Sequence, residues 1–144
     1  MAGYSGTPLV RKLGLKADHR VALLHAPPQF DHTLGPLLKG VLLDTQLQDG
    51  DAFDVIVFFT KDLAELRRHF GKLSRRLVSN GGLWIAWPKR ASGVATDLTE
   101  DVIRVVGLDA GLVDNKVCAV DDTWSGLRFV IRVQDRPKKA RREP

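Results

Sequence analysis

Residues 53–88, FDVIVFFTKDLAELRRHFGKLSRRLVSNGGLWIAWP, decide the fold that this sequence predicts. Two apolar runs, FDVIVFF at 53–59 and LWIAWP at 83–88, flank a segment with helical periodicity. Both faces of each run are apolar, which is typical of strands in a parallel sheet that helices cover on both sides. The stretch therefore predicts a strand, a helix and a second strand of one parallel sheet.

The segment between the two runs predicts the clearest helix of the chain, from Asp62 to Val78. Its apolar residues lie three and four positions apart and form one buried stripe: Leu63, Leu66, Phe70, Leu73 and Leu77. Asn80 and Gly81 are expected to end this helix. Its outer side carries cations that can contact a polyanion, although a solvated surface is their ordinary role: Arg67, Arg68, Lys72, Arg75 and Arg76.

The flanking sequence predicts the remaining elements of the same sheet. In chain order these are a short helix in 6–16 capped by Thr7, a first core strand in 19–27, a short strand in 40–45, a helix opened by Asp97 and Glu100 that reaches Gly111, and strands 115–120 and 127–133 joined by DDTWSG. Residues 26–40 are expected to be irregular. The chain thus predicts an α/β fold, an open, mostly parallel Rossmann-like sheet with a C-terminal β-hairpin, in one domain spanning 1–133.

The basic character of the chain is concentrated at its end. The net charge is +5, and QDRPKKARREP at 134–144 carries five cations and two anions, which supply +3 of that total. A basic, proline-containing tail without a large apolar residue is expected to be disordered. We expect it to provide solubility, or a weak, salt-sensitive contact with nucleic acid or another polyanion.

Composition also excludes several classes of protein. No run approaches the roughly 20 apolar residues of a membrane span, and MAGYSGTPLV lacks the regions of a secretion signal, so we expect a cytoplasmic protein without a membrane contact. The single cysteine, Cys118, lies in the apolar run KVCAV and predicts an inert strand thiol rather than a reactive one. The histidines have no metal-ligand spacing, so no metal is expected: His19, His25, His32 and His69.

Two resemblances agree with this fold. FDVIVFF, the helix after it and SNGGLWIAW resemble the fourth strand, its helix and the fifth strand of the class I methyltransferase fold, a likeness that covers residues 20–133. GYSGTPL, GGLWIAWPK, TDLTEDV and AGLVDNKVCAVDDTWSGLRFV together resemble an uncharacterised bacterial family of small proteins, known only as a domain of unknown function. The resemblances imply a reduced methyltransferase fold and no particular reaction.

The predicted strands deliver polar residues to their carboxyl ends, where open α/β sheets bind ligands. These candidate ligand-binding residues are His25 after the first strand, Thr60 and Lys61 after FDVIVFF, Lys89 and Arg90 after LWIAWP, and Asp121, Asp122 and Trp124 in the hairpin connection. Cations, hydroxyls and an indole suit a small anionic ligand. The structural alternative is that Lys89 pairs with Asp121 or Asp122 and only holds the end of the sheet together.

The turn after the first strand argues against S-adenosylmethionine (SAM) as a cofactor. In class I methyltransferases this turn is rich in glycine, whereas here it reads HAPPQF, in which two prolines lack N–H donors. Asp44 lies 19 residues after His25, near the spacing of a ribose-binding carboxylate, but an acid is also ordinary at a strand end. We therefore expect no cofactor, and NAD is disfavoured for the same reason.

The sequence favours a non-catalytic or regulatory module that binds a small anionic ligand or a partner at the carboxyl edge of the sheet. Two alternatives stay open. One is a degenerate or atypical group-transfer enzyme of the methyltransferase type, and the other is an accessory protein that binds nucleic acid or another polyanion.

Overall fold

The computed structural model describes residues 7–47 and 50–136. In these ranges the α-helices are α1 (Leu9–Lys12), α2 (Phe30–Leu34), α3 (Leu63–Ser74) and α4 (Glu100–Asp109), and the strands are β1 (Arg20–Leu24), β2 (Leu42–Asp44), β3 (Phe53–Phe59), β4 (Leu77–Pro88), β5 (Leu112–Ala119) and β6 (Trp124–Ile131). Short 3₁₀ turns occupy Arg90–Ser92 and Val133–Asp135.

The six strands form one open sheet in the order β2-β1-β3-β4-β6-β5. The neighbours from β2 to β4 pair in parallel, whereas β6 runs antiparallel to both β4 and β5. The chain order reverses between β1 and β3, because β1 leads outward to β2 and β3 returns to the other side of β1. The predicted mostly parallel Rossmann-like sheet with a closing β-hairpin is confirmed.

A separate apolar cluster packs on each face of the sheet. On one face the predicted stripe of α3 is buried, with Leu66, Phe70 and Leu73 at most 2% exposed, and it packs against Phe53 and Phe129. The other face buries residues of α1 and α2, together with Trp84, Phe59 and Val57. Helices on both faces explain why FDVIVFF and LWIAWP show no alternation of apolar and polar residues.

The predicted end of the long helix is wrong. Helix α3 ends at Ser74 with Arg75 as its C-cap, not at Val78. Leu77 belongs to β4, where it pairs with Phe53 and is 7% exposed. The helical spacing of Leu77 is misleading because this residue joins the same apolar cluster as the helical stripe, but from a strand.

Asn80 and Gly81, expected to stop the helix, lie inside β4 instead. The pairing register between β3 and β4 shifts here, because Phe53 pairs with Leu77 but Val55 pairs with Gly82. A Cβ atom at position 81 would lie 3.0 Å from two carbonyl oxygens of β3. Glycine is therefore used for close approach of two backbones inside an irregular strand, and not as a helix cap.

Three further local predictions need correction. The N-cap of α1 is Pro8 and not Thr7. Residues 30–34, in the segment expected to be irregular, form helix α2. The N-cap of helix α4 is Thr99, two residues after the predicted cap Asp97, because the side chain of Thr99 accepts the Val102 N–H. Asp97 instead accepts the Leu63 N–H at the start of α3, at 2.9 Å. Capping-box spacing identified the helix but assigned the wrong cap.

The predicted basic tail falls mostly outside the described residues, which end at Arg136. Of the tail, residues 134 and 135 lie in the last 3₁₀ turn, and the Arg136 guanidinium donates to the Ile131 carbonyl at 3.0 Å. None of the α-helices within 7–47 and 50–136 combines the length and the apolar character that a membrane span needs.

Candidate functional site

The carboxyl ends of β1 and β3 meet at the point where the strand order reverses, and Glu65 connects them. Its Oε1 accepts the Thr60 hydroxyl at 2.5 Å, and its Oε2 lies 3.7 Å from Nδ1 of His25. Thr60 is the buried polar residue of the core, at 3% exposure, and its N–H donates to the Ala86 carbonyl of β4. A buried hydroxyl thus orients a carboxylate, and the carboxylate faces a histidine.

His25 occupies an unusual backbone conformation. Its φ angle is +59°, in the left-handed region that side chains other than glycine seldom adopt. The imidazole packs against Phe58, with ring centroids 5.1 Å apart, and Phe58 also contacts His69 of α3 at 5.7 Å. The imidazole side chain is 55% exposed, so one edge of the ring faces Glu65 and solvent reaches the remainder. Backbone outliers of this kind concentrate at functional sites.

The loop after β4 packs against the loop after β3. The hydroxyl of Thr96 donates to the Lys61 carbonyl at 2.6 Å, and Asp97 binds the N-terminus of α3 as described above. These two hydrogen bonds hold residues 89–99 beside residues 60–63. Lys61, Lys89 and Arg90 therefore lie on the same side of the sheet's carboxyl edge as His25 and Glu65.

A cleft of about 480 Å³ opens between the end of β4 and the start of α4. Lys89 and Arg90 line it together with Glu100, Thr96 and Thr99. The Thr96 hydroxyl donates to the Lys61 carbonyl, and the Thr99 hydroxyl accepts the Val102 N–H. Leu98 and Trp87 form an apolar part of its wall. The cleft thus combines two cations, a carboxylate that pairs with Arg104, two threonines and an apolar surface.

The acidic residues around this cleft are already bound by other groups of the protein. Asp62 caps α3, Asp97 accepts from Leu63, Glu65 accepts from Thr60, and Glu100 pairs with Arg104. Within the described ranges, no carboxylate lies within ion-pair distance of Lys61, Lys89 or Arg90. The cations at this edge therefore have no ion-pair partner among the described residues, whereas the carboxylates have hydrogen-bond or ion-pair partners.

The hairpin residues predicted for the same site lie elsewhere or have structural contacts. Asp121 Oδ1 accepts the N–H groups of Thr123 and Trp124, both at 2.8 Å, and so shapes the turn. Asp121 and Asp122 line a different cleft, of about 640 Å³, between the hairpin and α1 and α2. Trp124 packs edge-on against Phe59 at 5.2 Å.

The eight predicted residues are thus divided into two groups. The structure brings His25, Thr60, Lys61, Lys89 and Arg90 to one side of the carboxyl edge, and Asp121, Asp122 and Trp124 to the other. The proposed structural pair between Lys89 and an aspartate is absent from the described residues, where the contact between these segments is from the Lys89 N–H to the Thr123 carbonyl. The ligand-binding roles of all eight residues stay predictions.

Glu65 is the residue that sequence analysis missed. It lies at the third position of α3 after its cap Asp62, where a glutamate ordinarily bonds back to the cap residue. Here its carboxylate turns instead to Thr60, five residues earlier, and to His25 on another strand. The capping-box spacing from Asp62 to Glu65 was visible in the sequence, but it does not encode the contact with His25.

Solved structures of methyltransferases share this fold. A SAM-dependent methyltransferase from Aquifex aeolicus is 15% identical with a TM-score of 0.61, over 88% of this chain and 89% of that one. The magnesium protoporphyrin IX methyltransferase of Synechocystis PCC 6803, with bound SAM, is 12% identical with a TM-score of 0.55, over 85% and 74% of the two chains. A pericyclic reaction enzyme is 11% identical with a TM-score of 0.55, over 88% of this chain and 47% of its own.

These likenesses establish the fold alone. No model of a protein family matches the sequence, and no curated protein matches it. The structural likenesses show that the chain has a Rossmann-like methyltransferase fold, as its sequence predicts. Because one fold can carry unrelated activities, an activity must be argued from the residues of the site.

The residues of this chain do not fit SAM at the place where the fold would hold it. The turn from β1 to α2 has His25 and Gln29 as its left-handed residues, where a glycine would leave room for a cofactor. Pro27 and Pro28 provide no N–H donor. Asp44, with the spacing of a ribose-binding carboxylate, is bound by the Arg20 guanidinium at 3.1 Å.

Proposed function

We propose that the protein binds a small anionic ligand, a carboxylate or a phosphate ester, in the cleft between the end of β4 and the start of α4. The supporting observation is that the side chains of Lys89 and Arg90 line this cleft without an ion pair among the described residues, whereas the nearby carboxylates have protein partners. An anion in this cleft would meet two cations at once.

Several physical features favour an anion here. The N-terminus of α4, a ten-residue helix, borders the cleft at Thr99 and Glu100, and its dipole attracts negative charge. The guanidinium of Arg90 can bind a planar carboxylate or a phosphate through two hydrogen bonds. Leu98 and Trp87 give an apolar surface for the carbon part of the ligand. The size of the cleft lies in the range of small-molecule sites.

Binding is tested by thermal shift and calorimetry against a panel of inorganic phosphate, pyrophosphate, nucleoside monophosphates and small dicarboxylic acids. At least one of these should raise the melting temperature of the natural chain by mass action. The variants Lys89→Ala and Arg90→Ala should lose that shift. The matched controls are Lys72→Ala in α3 and Arg75→Ala at its C-cap, both exposed positions, which should keep it. If the ligand raises the melting temperature of all four variants equally, the proposed cleft is refuted.

A second function, group transfer that does not use SAM, is favoured by the arrangement of His25, Glu65 and Thr60. A histidine that a carboxylate orients is the arrangement of a general base. Its position where the strand order reverses is the position at which open α/β sheets bind ligands. If His25→Ala and Glu65→Gln leave the binding of an identified ligand intact but abolish its turnover, the protein is an enzyme. If no turnover is found, binding alone is its function.

A further inference from the structure

A group of cations lies on the face of the sheet opposite to α3 and α4. Lys116 of β5 and Arg128 of β6 are direct cross-strand partners, so their side chains lie on the same face. Arg128 also pairs with Trp84 of β4, whose indole N–H donates to the Leu13 carbonyl at 2.9 Å. The two cations therefore lie on the face that α1 covers in part.

Two further cations extend this group at either end. The Lys116 ammonium donates to the backbone carbonyl of Lys12 at 3.2 Å, and the Lys12 ammonium reaches the Ala119 carbonyl at 3.5 Å. Arg136 follows β6, and its positive charge acts on Arg128. We call Lys12, Lys116, Arg128 and Arg136 the basic sheet face.

The position of Arg128 requires a particular neighbour in β4. A Cβ atom at position 82 would overlap its guanidinium, so only glycine leaves space for the side chain to lie across the sheet. The guanidinium also donates to the Asn115 side chain at 3.3 Å. Arg128 is thus a fixed, half-buried part of the sheet, unlike the exposed cations of α3.

Three cations of the basic sheet face carry charge that no ion pair of the described residues neutralises. Within residues 7–47 and 50–136, no carboxylate lies within ion-pair distance of Lys116, Arg128 or Arg136. Burial, and then repulsion by Arg136, lower the pKa of Arg128. Both effects disfavour the charged form of Arg128, and a bound polyanion would supply the counter-charge that Arg128 lacks.

We propose that the basic sheet face binds the phosphate backbone of a double-stranded nucleic acid without reading its bases. Cations from three separate segments match a ligand with regularly repeated charge better than a single carboxylate. Trp84, the aromatic residue of this face that pairs with Arg128, is fully buried and cannot stack on a base. The sequence that follows Arg136, PKKARREP, adds four cations and has no large apolar residue for insertion into a membrane.

The proposal is tested with the full chain and a fluorescent 20-base-pair duplex of arbitrary sequence, by anisotropy at several salt concentrations. The logarithm of the association constant should fall linearly with the logarithm of the salt concentration. The slope should be about −0.9 for each phosphate contact. Lys116→Ala and Arg128→Gln should each reduce the slope by about one. A duplex of unrelated sequence should bind with the same affinity.

The controls separate this face from other cationic parts of the chain. Lys72→Ala in α3 and Arg75→Ala at its C-cap change exposed cations outside this face and should bind as the natural chain does. Arg128→Lys keeps the charge and should bind more tightly than Arg128→Gln, and equal melting temperatures of the variants show that the fold is intact. A chain that ends at Arg136 should bind more weakly but should respond to Lys116→Ala as before.

Three results would overturn the proposal. The first is a salt slope that Lys116→Ala and Arg128→Gln leave unchanged, and the second is complete loss of binding on removal of 137–144 alone. The third is a preference for phosphatidylserine vesicles or polyglutamate over the duplex, which would assign the face to a membrane or an acidic protein.

Discussion

Glu65 Oε2 lies 3.7 Å from His25 Nδ1, and through this contact one side chain of α3 joins the ends of two neighbouring strands. Its other oxygen accepts the hydroxyl of Thr60, the residue that follows β3. The arrangement places a carboxylate between a buried hydroxyl and a half-exposed imidazole. It is a structural element of the sheet's edge whatever ligand the edge receives.

Replacing Glu65 should therefore reduce stability more than an exposed helix position would. Glu65→Ala leaves the buried Thr60 hydroxyl with the weaker contact to the Asp62 carbonyl at 3.4 Å, and we expect a loss of about 1–2 kcal/mol in the free energy of unfolding. Glu65→Gln keeps an acceptor for Thr60 and should lose less. Urea denaturation measures both. If Glu65→Ala is as stable as the natural chain, the hydrogen bond to Thr60 makes no net contribution.

The β3-α3-β4 unit is predictable because its signals are local. Apolar runs on both faces and a stripe of three-and-four spacing are properties of the sequence itself. The end of α3 is not predictable in this way. Leu77 continues the helical spacing, and only its pairing with Phe53 in the folded sheet assigns it to β4.

For the candidate site too, local features are predictable from the sequence and tertiary contacts are not. That His25, Thr60, Lys61, Lys89 and Arg90 follow strands is visible in the sequence, because strand ends are local features. Which face each side chain occupies depends on tertiary structure. Asp121 accepts two N–H groups of its own turn, a short-range role that the spacing from Asp121 to Thr123 permits but does not require.

Alanine substitutions at two helix glycines, Gly107 and Gly71, should change the stability of the fold in opposite directions. In α4 a Cβ atom at Gly107 would overlap the ring of Phe129, which is fully buried and stacks edge-on against Phe70 at 5.3 Å. Gly107→Ala should lose about 1–3 kcal/mol of stability, because the ring cannot move aside. In α3 a Cβ atom at Gly71 would meet only the end of the Arg75 side chain, at 3.3 Å.

Gly71→Ala should therefore gain about 0.5–1 kcal/mol, the difference in helix propensity between alanine and glycine. Thermal denaturation of both variants provides the measurement, and each serves as the control for the other. Equal effects of the two substitutions would show that the packing of α4 on Phe129 is looser than the structure indicates.

Cys118 should behave as an inert thiol. Burial raises its pKa, and the nearby charges of Lys12 and Lys116 oppose that change without cancelling it. At pH 8 the thiol should react with a disulfide reagent much more slowly in the folded chain than in urea, because the thiolate is the reactive form. A reaction as fast as that of a free thiol would show that the strand is open.

The raised pKa of the Cys118 thiol also predicts that the stability of the fold depends on pH. The thiol pKa is higher in the folded state, so the folded state holds its proton longer as pH rises. The resulting stabilisation is complete below the ordinary thiol pKa of about 8.5 and is lost as pH rises through the folded value. Between pH 8 and 10 the natural chain should lose more stability than Cys118→Ala, in which the other titrating groups are the same.

SAM and its demethylated product should not bind this chain appreciably, although the fold is that of methyltransferases. The turn from β1 to α2 would have to approach the cofactor closely, yet His25 and two prolines replace glycines there. Asp44 would have to release Arg20 before it could bind a ribose. Calorimetry at millimolar SAM should show no heat above dilution.

Two variants test the reason for this expectation about SAM. If the side chain at the turn is the obstacle, His25→Gly should keep the fold, because glycine adopts a φ of +59° without strain. Arg20→Ala should release Asp44. Should the natural chain bind SAM with a micromolar Kd, the turn accommodates a cofactor without glycine, and group transfer becomes the better proposal. If only the double variant, His25→Gly with Arg20→Ala, binds SAM, these two residues are the reason that this chain does not bind it.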